Sequence, residues 1–327
     1  MRAVLCKRLD GPEALVIEEL PAPALGPGEL VVAVRVAALN FFDTLITRGK
    51  YQSKPELPFS PSGEIAGVVT EVGPGVTGFA PGDRVAAYLG WGGAREAVVV
   101  PAAAAIPIPD GVSDEAAAGV SITYGTAIHG LRDRAGLAPG ETVAVLGAAG
   151  GAGLAAIEIA KVLGARVIAV ASSDEKLAIC RAHGADDVVD YAKEDLKQAL
   201  RDRTGGAGVD VVYDCVGGPA AESALRALKW QGRFLVVGFA SGDIPKLPLN
   251  LLLVKGVSAI GVFWGESVKR DPAGHRANME RVLAAVAEGR LAPRTHAVFP
   301  LERIVDAIGV LERREASGKV VVRVSDA

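Results

Sequence analysis

The stretch "TVAVLGAAGGAGLAAI", residues 142–157, constrains this chain more than any other, because Gly147, Gly150, Gly151 and Gly153 fall within seven positions. Glycine inside a regular element costs about 0.5–1 kcal/mol against alanine, so such a cluster predicts backbone that must go where a Cβ cannot. Residues 142–146 are apolar and β-rich, and from Leu154 the chain turns to helix-forming Ala, Ile, Glu and Lys. The glycines therefore belong to a turn between a strand and a helix, where backbone N–H groups and a helix N-terminus can receive phosphate. The competing use of such a turn is close packing of the helix on its sheet. "RVIAVA" (166–171) reads as a second strand after a helix ending at Gly164. "SSDEKLAICRAHG" then reads as a capped helix, with Ser172 and Glu175 at capping-box spacing and Gly184 as its stop. Strand, glycine turn, helix and strand form a βαβ unit that predicts dinucleotide binding, with Ala149, Gly150, Gly151, Ala152 and Gly153 against the pyrophosphate.

The same alternation continues after that unit. "DDVVDY", a helix over 193–204, "VDVVYDCVG", a helix over 219–229, "GRFLVVGFA" and "GVSAIGVFWG" bring the count to six strands with crossover helices, a doubly wound parallel sheet over 119–264. Residues 1–118 instead hold short Val-rich runs ("ELVVAVRVAAL", "IAGVVTEVG", "DRVAAY") between Gly and Pro, the pattern of a β-rich, barrel-like domain. The tail, 265–327, has helical stretches around 274–289 and 301–316 and a last strand, "KVVVRV". It is too short to fold alone, so it is expected to join the N-terminal part and make the α/β domain an insertion.

With 35 Lys and Arg against 38 Asp and Glu, a net charge of −3, the 327-residue chain shows no basic patch for nucleic acid. Its apolar runs break before membrane-spanning length, and "MRAVLCKRLDGPEAL" lacks the apolar core of a signal peptide. Three scattered cysteines (Cys6, Cys180, Cys215) make no disulfide framework. A cytoplasmic protein without nucleic-acid or membrane partners is the expectation.

Five segments together resemble one family. They are "LNFFDTLITRGKY", "PFSPSGEIAGVVTEVGPGVTGFAPGDRV", "VLGAAGGAGLAAIEIAKVLGARVIAVASSDEKL", "GVDVVYDCVGG" and "PLNLLLVKGVSAIGVFWG", running from residue 39 to 264. The family is the zinc-independent quinone oxidoreductases of the medium-chain dehydrogenase/reductase superfamily, the ζ-crystallin-like reductases. The resemblance implies a GroES-like catalytic domain around a Rossmann domain, NADPH as hydride donor, and a quinone or α,β-unsaturated carbonyl as small-molecule acceptor. It also implies a homodimer. The apolar last strand, "VSAIGVF", points the same way if it lies at a sheet edge with unpaired backbone.

Zinc is a first branch point, since catalytic zinc requires Cys, His or carboxylate ligands and an open position. No Cys lies near residues 40–43, Glu64 has no His beside it, and His129, His183, His275 and His296 are scattered. The histidines read as surface or helix residues, and the expectation is a metal-free site.

The second branch is NADPH or NADH. NAD-binding units place an acid at the end of the second strand, on the ribose 2′-OH. That strand here ends in Ala171, Ser172 and Ser173. Asp174 is the competitor, although an acid in a first helical turn is favoured by the helix dipole in any case. Ser172 can donate to a 2′-phosphate and Lys176 can neutralise it, unless Lys176 is simply a solvated helix charge. By resemblance Tyr191 faces the same phosphate. The turn departs from the dinucleotide consensus, with Ala148 in place of the first glycine before Gly150 and Gly153.

By resemblance the reacting end of the cofactor lies between the domains, with Thr126 of "YGTAIHG" against the nicotinamide. Val237, Gly238, Phe239 and Ala240, then Val262, Phe263 and Trp264, follow later strands and line the same crevice. Asn40, Asp43, Arg48 and Tyr51 lie in the loop facing it. Asn40 touches cofactor and Tyr51 assists chemistry in this reading. Capping by Asn40 and Asp43, solvation of Arg48 and loop packing of Tyr51 are the plainer roles. Two further readings stay open: an enoyl- or acryloyl-thioester reductase, and an NADPH-binding sensor or structural protein with little turnover.

Overall fold

The computed structural model describes residues 1–325. It divides into two units, one of Met1–Ile122 with the chain from Ser267 onward, the other Thr123–Glu266. No helix among the described residues is long and apolar enough to cross a membrane.

In the unit 123–266 the Val-, Ile- and Ala-rich runs form six strands, all parallel, because a helix carries the chain back after nearly every one. Their order across the sheet is Asp187–Asp190, Arg166–Ala171, Thr142–Leu146, Val209–Asp214, Leu228–Val236, Ser258–Gly261. The chain thus moves outward from Thr142–Leu146 in one direction, returns, and moves outward in the other. That reversal lies between Leu146 and Asp214, which are register partners. Register also pairs Asp190 with Ala171, Asp214 with Val236, and Val236 with Gly261, so the strands' carboxyl ends share one edge. In an open α/β sheet a reversal at that edge is where a crevice forms.

Three local expectations need correction. The helix Asp174–Ala182 is capped by Ser173, whose hydroxyl accepts from the Lys176 N–H at 3.3 Å, so Ser172 sits one residue earlier, at the strand end. The helix expected over 219–229 stops at Arg226, because Leu228 already pairs with Val209 in the sheet. The helix expected over 193–204 is Leu196–Asp202, since Asp195 caps it, accepting from Gln198 N–H at 2.8 Å.

The other unit is built on the eleven-residue strand Glu29–Leu39, which pairs antiparallel with Glu64–Val72, Ala97–Pro101 and Lys319–Arg323. Glu64–Val72 runs along one edge of it, and Ala97–Pro101 (against 29–33) and Lys319–Arg323 (against 36–39) divide the other. Val32, Val34, Ile65, Val85, Val98, Val320 and Val322 fill the interior. The tail adds a strand that hydropathy did not announce, Thr295–Pro300, parallel to Lys319–Arg323. It alternates half-buried and exposed residues at the sheet's end, a pattern too weakly apolar to read from sequence.

Candidate functional site

The glycine turn opens the helix Gly151–Val162, whose N-cap is Gly150. No side chain caps it and no acid lies in its first turn. The leading N–H groups of a helix have no intrahelical acceptor, so those of Gly151, Ala152 and Gly153 face outward with the positive end of the dipole. This is a cradle for an anion. The glycines divide the work. A Cβ on Gly153 would lie 2.4 Å from the Gly147 carbonyl oxygen and 2.6 Å from Ala148, so this glycine serves the turn's own close packing. A Cβ on Gly150 would meet nothing nearer than the Gly147 oxygen at 3.4 Å, which leaves its outer side open. Ala149 is buried beneath the turn. Of the two uses weighed from the sequence, close packing falls to Gly153, and Gly150 is left open on its outer side.

Ser172 and Tyr191 follow the two strands next to this turn, and the Tyr191 N–H donates to the Ala171 carbonyl at 3.2 Å, holding the two strand ends side by side. Tyr191 is half-exposed and Lys176 half-buried. Sequence reasoning missed Lys193. Its ammonium lies 2.9 Å from the Asp174 carboxylate and 3.1 Å from that of Asp190. The acid that would compete for a ribose hydroxyl is thus paired with a cation, and the Lys193–Tyr191 spacing was the only available signal.

Val237 and Gly238 both donate N–H bonds to the Asp214 carbonyl, and Ala240 donates to that of Cys215. This segment is thereby folded onto the end of the central strand. The Phe239 ring lies against Gly217, where a Cβ would be 2.9 Å from it. After the edge strand, Val262 packs toward Gly130 and the Trp264 indole toward Gly125, while Phe263 is half-exposed. Trp264 is 7 % exposed, so its ring is a packing element next to the half-buried Thr126, and Phe263 presents the open face.

In the other unit, Asn40 is the N-cap of the helix Phe41–Ile46 in a capping box, and its own N–H donates to the Asp43 carboxylate at 2.8 Å. The second Asp43 oxygen accepts from Ser62 N–H at 2.8 Å. The Asn40 amide is held at both ends. Its Nδ2 donates to Glu64 Oε1 at 3.0 Å, and its Oδ1 accepts from Lys319 Nζ at 2.7 Å. Lys319 also donates to Glu64 Oε1 at 2.7 Å and to the Leu39 carbonyl at 3.0 Å. The buried Lys319–Glu64 pair was invisible in the sequence because 255 residues separate its members. Burial pushes the Asp43 carboxyl up to about 7, against the two N–H bonds that favour its ionised form. Arg48 is not simply solvated: it donates to the Thr44 carbonyl and pairs with Glu312 and Glu13.

Tyr51 stacks against Phe42, with ring centroids 5.3 Å apart and an interplanar angle of 31°. Burial, with the Asp43 carboxylate adding to it, raises its phenol above the ordinary tyrosine value. Tyr88 is pushed further, to about 12, by burial and by Tyr51 and Glu64. Both phenols stay protonated at neutral pH and can donate.

Among the described residues no three His, Cys, Asp or Glu side chains group as a metal site. Glu64 is committed to Asn40, Lys319 and the Ile122 N–H. His183 is not a surface residue, since its side chain is 11 % exposed and lies 2.6 Å from Glu158. This donor set does not fit zinc.

Comparison with known proteins agrees with both units. Residues 26–110 match the alcohol dehydrogenase GroES-like domain, and residues 151–288 match the zinc-binding dehydrogenase family. A quinone oxidoreductase-like protein 2 homolog from Nematostella vectensis is 42% identical over 98% of this chain and 88% of its own length. A crystal structure of an Escherichia coli quinone oxidoreductase complexed with NADPH superposes with a TM-score of 0.90, at 29% identity over 99% of this chain and 100% of that one. A structure described as an NAD-dependent alcohol dehydrogenase gives 0.91 at 34% identity, covering 99% and 100%. The chain belongs to the medium-chain dehydrogenase/reductase superfamily of oxidoreductases, within its quinone oxidoreductase, ζ-crystallin-like group.

Proposed function

We propose that this protein is an NADPH-dependent reductase that passes a hydride to a quinone or an α,β-unsaturated carbonyl without a metal. The observation that carries the reading is the uncapped, acid-free N-terminus of Gly151–Val162 at the sheet's reversal. The bound nicotinamide supplies the hydride. The chain's residues bind and orient it. Backbone N–H groups of Gly151, Ala152 and Gly153 would hold the pyrophosphate. Ser172, whose hydroxyl is not the helix cap, would reach the 2′-phosphate together with Lys176, Tyr191 and Lys193. Thr126, the backbone of 237–240, and Val262, Phe263 and Trp264 would line the nicotinamide end, and Asn40, held by Glu64 and Lys319, keeps the cofactor role that the resemblance gives it. Tyr51 would donate a hydrogen bond to the acceptor oxygen as negative charge develops there.

A homodimer fits the same unit. Among the described residues the edge strand Ser258–Gly261 has one neighbour, and Leu249, Leu253, Val254 and Trp230 near it in the chain or sheet are each more than 60 % exposed. The Trp230 ring lies over Gly256, which joins the helix Leu249–Lys255 to the strand.

Steady-state oxidation of NADPH and NADH with a panel of quinones, enones and enoyl thioesters tests the reading. Turnover should survive exhaustive chelation and show about a tenfold or greater kcat/KM preference for NADPH, given about 1.5–3 kcal/mol per charged hydrogen bond before solvent screening. Equal use of both cofactors would remove the 2′-phosphate assignment. Tight NADPH binding without turnover on any acceptor would make the protein a binder.

A further inference from the structure

Glu158 sits in the middle of Gly151–Val162, 8 % exposed, with the buried Leu154 and Ala155 one turn before it on the same face. Both of its oxygens are engaged. The Tyr124 hydroxyl donates to Oε2 at 2.7 Å, and His183 Nδ1 lies 2.6 Å from Oε1. The three side chains come from three helices. Tyr124 belongs to Val120–Ile128, and His183 is the C-cap of Asp174–Ala182. A carboxylate beside Leu154 and Ala155 is not needed to pack this helix, and a buried polar group persists where hydrogen bonds hold it. What the three helices share lies elsewhere. One begins at the glycine turn, one begins beside Ser172 and carries Lys176, and the third carries Thr126.

We propose that Glu158 is a positioning residue for the dinucleotide, a brace that fixes the spacing between the pyrophosphate-facing and 2′-phosphate-facing helix ends. The inference rests on the cofactor reading above. Each helix is a rigid rod, so a tie between the C-terminal end of one and the midpoint of the other sets how far apart their N-termini stand. A ligand that touches both ends gains from a preset spacing, because the second contact forms without further ordering. A ligand that touches one end gains nothing.

That difference gives the test, with three probes and calorimetric affinities. 2′,5′-ADP carries both phosphate positions, ADP only the 5′ side and 2′-AMP only the 2′ side. Glu158→Ala and His183→Leu should weaken 2′,5′-ADP by about tenfold or more while ADP and 2′-AMP stay within about threefold. Glu158→Gln can accept from Tyr124 with its oxygen and meet the other imidazole tautomer with its NH2, so it should restore 2′,5′-ADP binding to within about threefold. If all three probes weaken together, or if none does, Glu158 only supports the fold and the proposal fails. Melting curves recorded alongside show each variant folded, and His183→Leu carries the test if Glu158→Ala does not fold. A wild-type protein that binds none of the probes would overturn the cofactor reading itself, an outcome distinct from a uniform loss in the variants.

Discussion

The Tyr51 hydroxyl is the smallest feature on which the proposed chemistry turns. Its phenol is raised by burial and Asp43 and packed on Phe42, so it is both protonated and held. A positioned general acid contributes about 10²–10⁴-fold. Tyr51→Phe keeps the ring and the Phe42 contact, so kcat with an enone should fall at least about tenfold, with a smaller loss on more easily reduced quinones. Stopped-flow rates within about threefold of wild type on both acceptors would leave Tyr51 as a packing residue and protonation to solvent. Lys193 makes a second prediction at this scale. It pairs with Asp174, an exposed acid, and such pairs contribute about 0–1 kcal/mol. Lys193→Ala should therefore lower the NADPH-to-NADH ratio of kcat/KM by only about three- to tenfold, removing a phosphate partner and releasing Asp174 toward a ribose hydroxyl. An unchanged ratio would place Lys193 outside the specificity site. Tyr51 was singled out in the sequence by resemblance. Lys193 was not, because a lysine three residues beyond a strand has no meaning until Asp174 and Asp190 are seen around it.

The glycine turn can be dissected as an element. Alanine at Gly153 would drive its Cβ to 2.4 Å from a backbone oxygen that cannot swing aside, whereas alanine at Gly150 meets ordinary contact. Overpacking of this kind costs about 1–3 kcal/mol. Gly153→Ala should lower the midpoint of chemical denaturation by that amount and weaken dinucleotide binding as the turn shifts. Gly150→Ala should leave stability within about 0.5 kcal/mol, a surface-like effect. Equal losses at the two positions would contradict the division of roles. Element existence was readable here from hydropathy, down to all six parallel strands. The exact cap was not. Ser172 and Ser173 are chemically equivalent neighbours, and only the pairing of Arg166–Ala171 with the next strand decides which hydroxyl reaches the Lys176 N–H.

Acid stability and assembly belong to the whole molecule. His275, partly buried with its ring edge-on to Tyr88, is held down to about 4 by burial, against an ordinary value of 6.5. Below pH 6.5 the unfolded chain takes up a proton that the folded chain refuses until about pH 4, so this contribution to stability is complete above 6.5 and is lost as pH falls through that window. Its full size is on the order of 3 kcal/mol. His275→Gln should flatten the acid limb of stability measured by urea unfolding between pH 4 and 6.5, and a limb of unchanged slope would assign it to other groups. For assembly, Leu253, 81 % exposed in the apolar patch, is the residue to charge. Leu253→Glu should turn a light-scattering dimer at micromolar concentration into a monomer, and a monomeric wild type would refute the interface. The sequence by itself determined the α/β class, the order of the parallel strands' segments and the glycine turn, because hydropathy period and backbone freedom are local properties. Only the tertiary structure decided that Lys319 meets Glu64 and Asn40, that Lys193 covers Asp174, and that Glu158 joins Tyr124 to His183. Each of those contacts joins residues distant in the chain, and a charge pattern along a sequence holds no record of which distant charge the fold will bring to it.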